Sequence, residues 1–100
     1  MDLQAITEAL RGKVGTESGL NAILKFDMGA DGVAVIDGKS IPNSVSNDKD
    51  READCTVAIT RENLIALLSG ELNPMNAFMM GKIKVSGDMG VAMKLQRVVG

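Results

Sequence analysis

The side chains that most often do chemistry at neutral pH are nearly missing from this sequence. It has no histidine, tyrosine or tryptophan, and one cysteine. Without histidine there is no ordinary general base near neutral pH, no imidazole metal ligand and no partner for a Ser-His or Cys-His nucleophile. Cys55 falls on the apolar phase of Cys55-Thr56-Val57-Ala58-Ile59 and reads as a buried structural thiol. Asp27, Asp31 and Gly32 imitate the opening of a calcium loop, but its third and twelfth positions would be Gly29 and Gly38, where carboxylates are required. Gly87-Asp88-Met89-Gly90 lacks the three-glycine pattern of a phosphate-binding turn. Composition leaves paired carboxylates available for catalysis, yet no spacing motif brings two acids together. No catalytic residue, metal ligand or cofactor is assigned.

What the sequence does concentrate is oily and flexible. Five of its seven methionines lie between Met75 and Met93, and thioether side chains are unbranched, polarizable and easily repacked. The elements that position them can be read from the same stretch. Asn73 can cap a short helix with Pro74 at its first position and Gly81 at its stop. Lys82 to Ser86 alternates, putting Ile83 and Val85 on one face of a strand and Lys82 and Lys84 on the other. Gly87 breaks that strand and Asp88 caps a final helix. One of its stripes holds Met89, Ala92, Met93 and Gln96, and the other Val91, Leu95, Val98 and Val99.

The run Leu68-Ser69-Gly70-Glu71-Leu72-Asn73-Pro74 followed by Ala77-Phe78-Met79-Met80-Gly81-Lys82-Ile83-Lys84-Val85-Ser86-Gly87-Asp88-Met89-Gly90-Val91-Ala92-Met93-Lys94-Leu95-Gln96 resembles the C-terminal half of the sterol carrier protein 2 domain, also called the non-specific lipid transfer or sterol-binding domain. The match is dense from about Ala53 to Val99. Before that, only strand phases and turn glycines agree. The resemblance implies an apolar cavity between a sheet and its helices, with the late strand inserted into the sheet. It also implies a lipid or fatty-acyl ligand.

One hundred residues suit a single domain spanning 1–100. Its opening segment reads as a helix capped by Asp2, with Leu3, Ile6, Leu10 and Val14 near one face. Leu20, Ala22, Leu24, Phe26 and Met28 then share one phase of a strand. Gly29-Ala30-Asp31-Gly32 turns the chain into Val33-Ala34-Val35-Ile36. Asp37-Gly38 leads to a weaker strand at Ser40 to Ser46, which Pro42 assigns to an edge. The charged run Asn47 to Glu52 reads as a solvated connection. Cys55, Val57 and Ile59 mark a fourth strand. Thr60 caps the next helix, with Ile59 and Leu64 placed as a hydrophobic staple and Leu64, Leu67 and Leu68 as the buried face. The fold class that follows is α+β, a five-stranded, largely antiparallel sheet with helices covering one face.

Charge adds a second layer. The net charge of -2 leaves no nucleic-acid footprint. Residues 1–70 hold seven Lys or Arg against eleven Asp or Glu, whereas residues 71–100 hold Lys82, Lys84, Lys94 and Arg97 against Glu71 and Asp88. The methionine-rich end is therefore the basic end. Two explanations remain open for it: an ordinary solvated face, or attraction to anionic lipid headgroups at roughly 1 kcal/mol per cation. No apolar run approaches the roughly 20 residues of a membrane span, and the start lacks a signal-peptide pattern. A lone cysteine fits a reducing compartment. The expected location is the cytoplasm, since the ending Val98-Val99-Gly100 differs from the targeting tripeptide of peroxisomal family members.

Two functions are compatible with these patterns. The first is a non-catalytic carrier for a long-chain fatty acid, fatty acyl-CoA, sterol-like lipid or phospholipid. Phe26, Met28, Val33, Val35 and Ile59 would line the sheet side of its cavity, and Leu64, Leu67, Leu68, Phe78, Met79, Ile83, Val85, Met89, Met93 and Leu95 the rest. Lys82, Lys84, Lys94 and Arg97 would steer it to anionic membranes. The second is a protein-interaction module whose apolar stripes are simply core. An empty sealed void of ~300 Å³ would cost about 7 kcal/mol at ~24 cal/mol per Å³, against a total stability of roughly 5 to 15 kcal/mol. A carrier must therefore hold lipid or let its walls collapse, and the methionines at 75, 79, 80, 89 and 93 suit collapse.

Overall fold

The computed structural model describes residues 1–100. Helix α1, Leu3–Val14, starts where the Asp2 carboxylate accepts a hydrogen bond from the Ala5 N–H at 2.9 Å. Ile6, Leu10 and Val14 form its buried stripe. The buried Thr7 hydroxyl donates to the Leu3 carbonyl at 2.7 Å and accepts from the Asn47 amide at 3.0 Å. That amide also donates to the Val33 carbonyl at 2.9 Å, so one side chain ties helix to sheet.

Strands β1, Ile23–Asp27, and β2, Val33–Asp37, form an antiparallel hairpin across a 3₁₀ turn at Gly29–Asp31. Strand β3 is only Ser44–Ser46, shorter than expected, because the chain bends through residues 39–42. Strand β4, Cys55–Ile59, leads into α2, Arg61–Ser69, at the expected cap: the Thr60 hydroxyl accepts from the Asn63 N–H at 3.2 Å. Helix α3, Pro74–Met79, strand β5, Ile83–Gly87, and the short helices α4, Met89–Ala92, and α5, Gln96–Val99, complete the chain.

The sheet order is β3-β2-β1-β4-β5, with every pair antiparallel except β1 and β4. Strand β5 therefore lies at an edge rather than inserted into the sheet as the resemblance implied. The other edge is β3, as Pro42 suggested. In register, Phe26 stands opposite Ala34 and Val57, and Val57 opposite Val85. One face thus carries Leu24, Phe26, Ala34, Ile36, Cys55, Val57, Ile59, Ile83 and Val85, and the helices cover it.

This register corrects the placement of Val33 and Val35. Both belong to the opposite face with Lys25 and Asp37. All of Val33 to Ile36 is buried, so the strand has no alternation from which its phase could be read. The charged loop at 47–52 is what buries the outer pair. Lys25 Nζ donates to the Lys49 carbonyl at 2.9 Å, and Arg51 pairs with Asp37 at 3.0 Å, so the loop is pinned across that face.

The final helix also differs from expectation. It divides because Lys94 and Leu95 donate back three residues, to Val91 and Ala92, at 2.9 and 3.1 Å. The stripe of Val91, Leu95, Val98 and Val99 is nevertheless the buried one, while Met89 and Met93 on the other stripe face outward.

Candidate functional site: an apolar groove at the sheet edge

Four local features place the walls of a groove beside β5. Asn73 Oδ1 accepts from the Met75 N–H at 2.8 Å, and Pro74 fixes the first helical position of α3. Ala77 is fully buried and anchors that helix, which leaves Met75 and Phe78 on its open side. Gly81, at φ +71°, lets the chain reverse, and the Lys82 N–H closes on the Ala77 carbonyl at 2.8 Å. At the far end of β5, Gly87 adopts φ +93°, and the Asp88 N–H donates to the Asp54 carbonyl at 2.8 Å. Asp88 Oδ1 then accepts from Gly90 N–H at 2.8 Å and starts α4.

Between these walls lies a space of about 350 Å³. Ile83 and Leu95, both buried, form its floor; Val85 and Ala92 are half-buried; Met75, Phe78, Met89 and Met93 line it with Asn73, Pro74 and Gln96. Met93 remains 73% exposed, so the space is a groove open to solvent rather than a sealed chamber. A groove that water can enter escapes the cost of an empty buried void. That resolves the energetic conflict without requiring collapse.

Of the side chains expected to line a cavity, Phe78, Ile83, Val85, Met89, Met93 and Leu95 meet here. Phe26, Met28, Ile59, Leu64 and Leu67 are instead packed in the core beneath, and Leu68 lies half-buried against it. Periodicity marks an apolar face without separating core from lining, which is why these were grouped together. Met79 points away from the groove and is 77% exposed. Asn73, Pro74, Met75, Ala92 and Gln96 also line the groove but were not assigned to it. In the sequence Asn73 and Pro74 read as a helix start, and Ala92 and Gln96 share the Met89 stripe, so both signals are present there.

The four cations do not share one face. Lys82 and Lys84 are exposed, Lys84 on the outer side of β5, opposite in phase to Ile83 and Val85. Lys94 Nζ donates to the Leu20 carbonyl at 3.3 Å, and Arg97 lies against Gly19.

A second hollow of about 370 Å³ lies across α4. Its walls include Lys39, Asp54, Asp88 and Lys94, and a Lys39–Asp54 ion pair of 3.2 Å spans it. Asp54 Oδ2 accepts from the Ile23 N–H at 2.8 Å; that bond first, then Lys39, holds its carboxyl below the usual range. Similar in volume, this hollow is charged where the groove is oily. Cys55 is buried next to it. Burial, and secondarily the charge of Asp88, push its thiol up, so it stays protonated at neutral pH. No three side chains of the Cys, Asp or Glu type converge to hold a metal ion. No helix is long and apolar enough to cross a membrane.

Fold and groove together define a class: a small α+β domain presenting an oily trough at one sheet edge. The sequence matches the SCP-2 sterol transfer family across residues 5–100, and the chain belongs to that family. Sterol carrier protein 2 of Rattus norvegicus is 46% identical over 68 residues, covering 68% of this chain and 12% of the rat protein. The chain thus spans only about an eighth of the length of such relatives. The crystal structure of Sterol Carrier Protein 2 Like 2 from Aedes aegypti superposes with a TM-score of 0.80 at 23% identity, covering 97% of this chain and 95% of that one. The solution structure of palmitated SCP2L2 from Aedes aegypti gives 0.75 at 27% identity, covering 99% and 95%.

Proposed function

We propose that this domain is a non-catalytic intracellular carrier, working in the cytoplasm, that lays one long hydrocarbon chain in the groove beside β5. A fatty acid or its CoA ester fits best. The observation that carries this reading is the groove itself, in which eight of the eleven lining side chains are hydrophobic. Its volume of about 350 Å³ is near the low end of the ~300 to 1,000 Å³ typical of small-molecule sites, which favours a single tail over a sterol or a two-chain phospholipid. The palmitated state of the Aedes aegypti relative supports the same ligand class. Lys82 and Lys84, flanking the groove strand, would bias encounter with anionic membrane surfaces.

A second reading is favoured by the packed interior together with the exposure of Phe78 and the groove methionines. Such a surface also suits an amphipathic helix from a partner protein. Titration with a fluorescent long-chain fatty acid, for wild type and Ala92→Phe, separates the two. The carrier reading expects saturable binding that Ala92→Phe weakens at least about tenfold, or ~1.4 kcal/mol, with the circular dichroism spectrum retained. Equal binding by a folded Ala92→Phe variant refutes the groove as the site. Capture of an apolar helical peptide but of no fatty acid would establish the interaction module instead.

A further inference from the structure

We infer that Met75, Met89 and Met93 form an oxidation-sensitive switch in the groove wall, by which peroxide bars the hydrocarbon occupant. The inference rests on the groove being the binding site proposed above.

Three thioethers line one groove, and all are open to solvent: Met75 is 56%, Met89 50% and Met93 73% exposed. Met28, in contrast, is 5% exposed inside the core. Met79 and Met80 are exposed but lie outside the groove. The molecule therefore contains its own references for reactivity and for position.

The chemistry needs one oxidant, a peroxide. The thioether sulfur attacks one peroxide oxygen, the O–O bond breaks, an S–OH bond forms, and the departing hydroxide takes the proton of that S–OH group and leaves as water. Sulfur loses two electrons and the peroxide gains them. The product is a sulfoxide, polar and chiral where the thioether was apolar. Each sulfoxide oxygen is a strong acceptor that needs a donor once a tail covers it. A tail laid on this wall strips water from the sulfoxide oxygens, and the side-chain donors in the lining come only from Asn73 and Gln96, so the oxidised groove favours water over a hydrocarbon tail. Methionine sulfoxide reductases, with a dithiol as electron donor, return the sulfoxide to thioether plus water and reset the wall.

A docked tail also covers the three sulfurs, so an occupied groove shields them. Shielding should stop at the groove edge, leaving Met79 and Met80 as reactive as before.

The test exposes the whole chain to hydrogen peroxide, with and without saturating palmitate. Peptide mass spectrometry then locates the sulfoxides, and a fluorescent fatty acid reports affinity. Expected are sulfoxides at 1, 75, 79, 80, 89 and 93, sparing of Met28, and palmitate protection confined to 75, 89 and 93. Affinity should fall at least about tenfold, the scale of stripping water from one polar group, and return on reductase treatment. A Met79→Leu/Met80→Leu variant should remain as sensitive to peroxide as wild type. The ratio of affinities before and after peroxide should approach one in Met75→Leu/Met89→Leu/Met93→Leu. Binding that survives full oxidation of the three groove methionines overturns the inference alone. Failure of the unoxidised protein to bind any fatty acid removes the binding reading and this inference with it.

Discussion

Replacing Gly87 by alanine should cost ~2 to 5 kcal/mol, more than the same change at Gly81. The residue sits at φ +93°, where an L side chain is strained, and an added Cβ would collide with the Asp54 carbonyl oxygen and lie 3.2 Å from Cys55 Cα. Neither obstacle can swing aside. The carbonyl is held by the Asp88 N–H at 2.8 Å, and Cys55 is paired in β4. The backbone penalty of ~1 to 2 kcal/mol therefore adds to an overpacking term of ~1 to 3 kcal/mol. At ~4 to 8 °C per kcal/mol for a domain of this size, a 3 kcal/mol loss lowers Tm by ~12 to 24 °C. Two substitutions calibrate the effect. Gly81 shares the positive φ, at +71°, but has nothing within 4 Å of an added Cβ, so Gly81→Ala should show only the ~1 to 2 kcal/mol backbone cost. Gly12 lies inside α1 with open space around it, so Gly12→Ala should raise stability by ~0.5 to 1 kcal/mol. Thermal unfolding followed by circular dichroism ranks the three. A Gly87→Ala loss no larger than that of Gly81→Ala would show that β5 is not clamped against Asp54 as described.

The acid limb of stability should be steepened by Asp37, which its hydrogen bond from Arg51 holds below the ordinary 3.8, and by Asp54, held down chiefly by the Ile23 N–H. Their folded values are depressed, so the contribution is complete above 3.8 and is lost as pH falls through the lower folded values. Asp37→Asn should accordingly be less stable than wild type at neutral pH, with the gap closing in strong acid; a constant gap contradicts the linkage. Cys55, buried and raised, should react with a thiol reagent only at the rate of unfolding, and rapid labelling of the native protein would show that β4 opens locally. Reversing Lys82 and Lys84 to glutamate should slow fatty-acid transfer to anionic vesicles but leave transfer to neutral vesicles unchanged. Equal slowing for both vesicle types would assign the effect to the groove rather than to charge.

What could be read in the sequence was what is local. Asp2, Thr60, Asn73 and Asp88 each accept the hydrogen bond that their position before a helix demanded. The alternation around Leu24 and Phe26 gave the buried phase of β1, because its other face is half-wet. Strand β2 offered no such contrast, since a charged loop covers its far side, and Val33 and Val35 were assigned to the wrong face. The edge position of β5 depends on the parallel pairing of β1 with β4, a long-range choice that no periodicity encodes. The candidate groove was half legible for a related reason. Ile83, Val85 and Met93 belong to elements whose apolar phase turns toward it, whereas Leu64 and Leu67, identical in pattern, face the packed interior. Only the tertiary arrangement distinguishes a side chain that meets solvent across a trough from one that meets another side chain.

The parallel pair at the centre of the sheet also sets an order of assembly. The first three strands are neighbours in sequence and can zip together through short turns, while β4 must return across a long excursion before β5 has anything to pair with. The oily trough is thus finished last, on the half of the domain that emerges last during synthesis. A nascent chain at that stage would offer its methionines and an unpaired strand to neighbouring proteins.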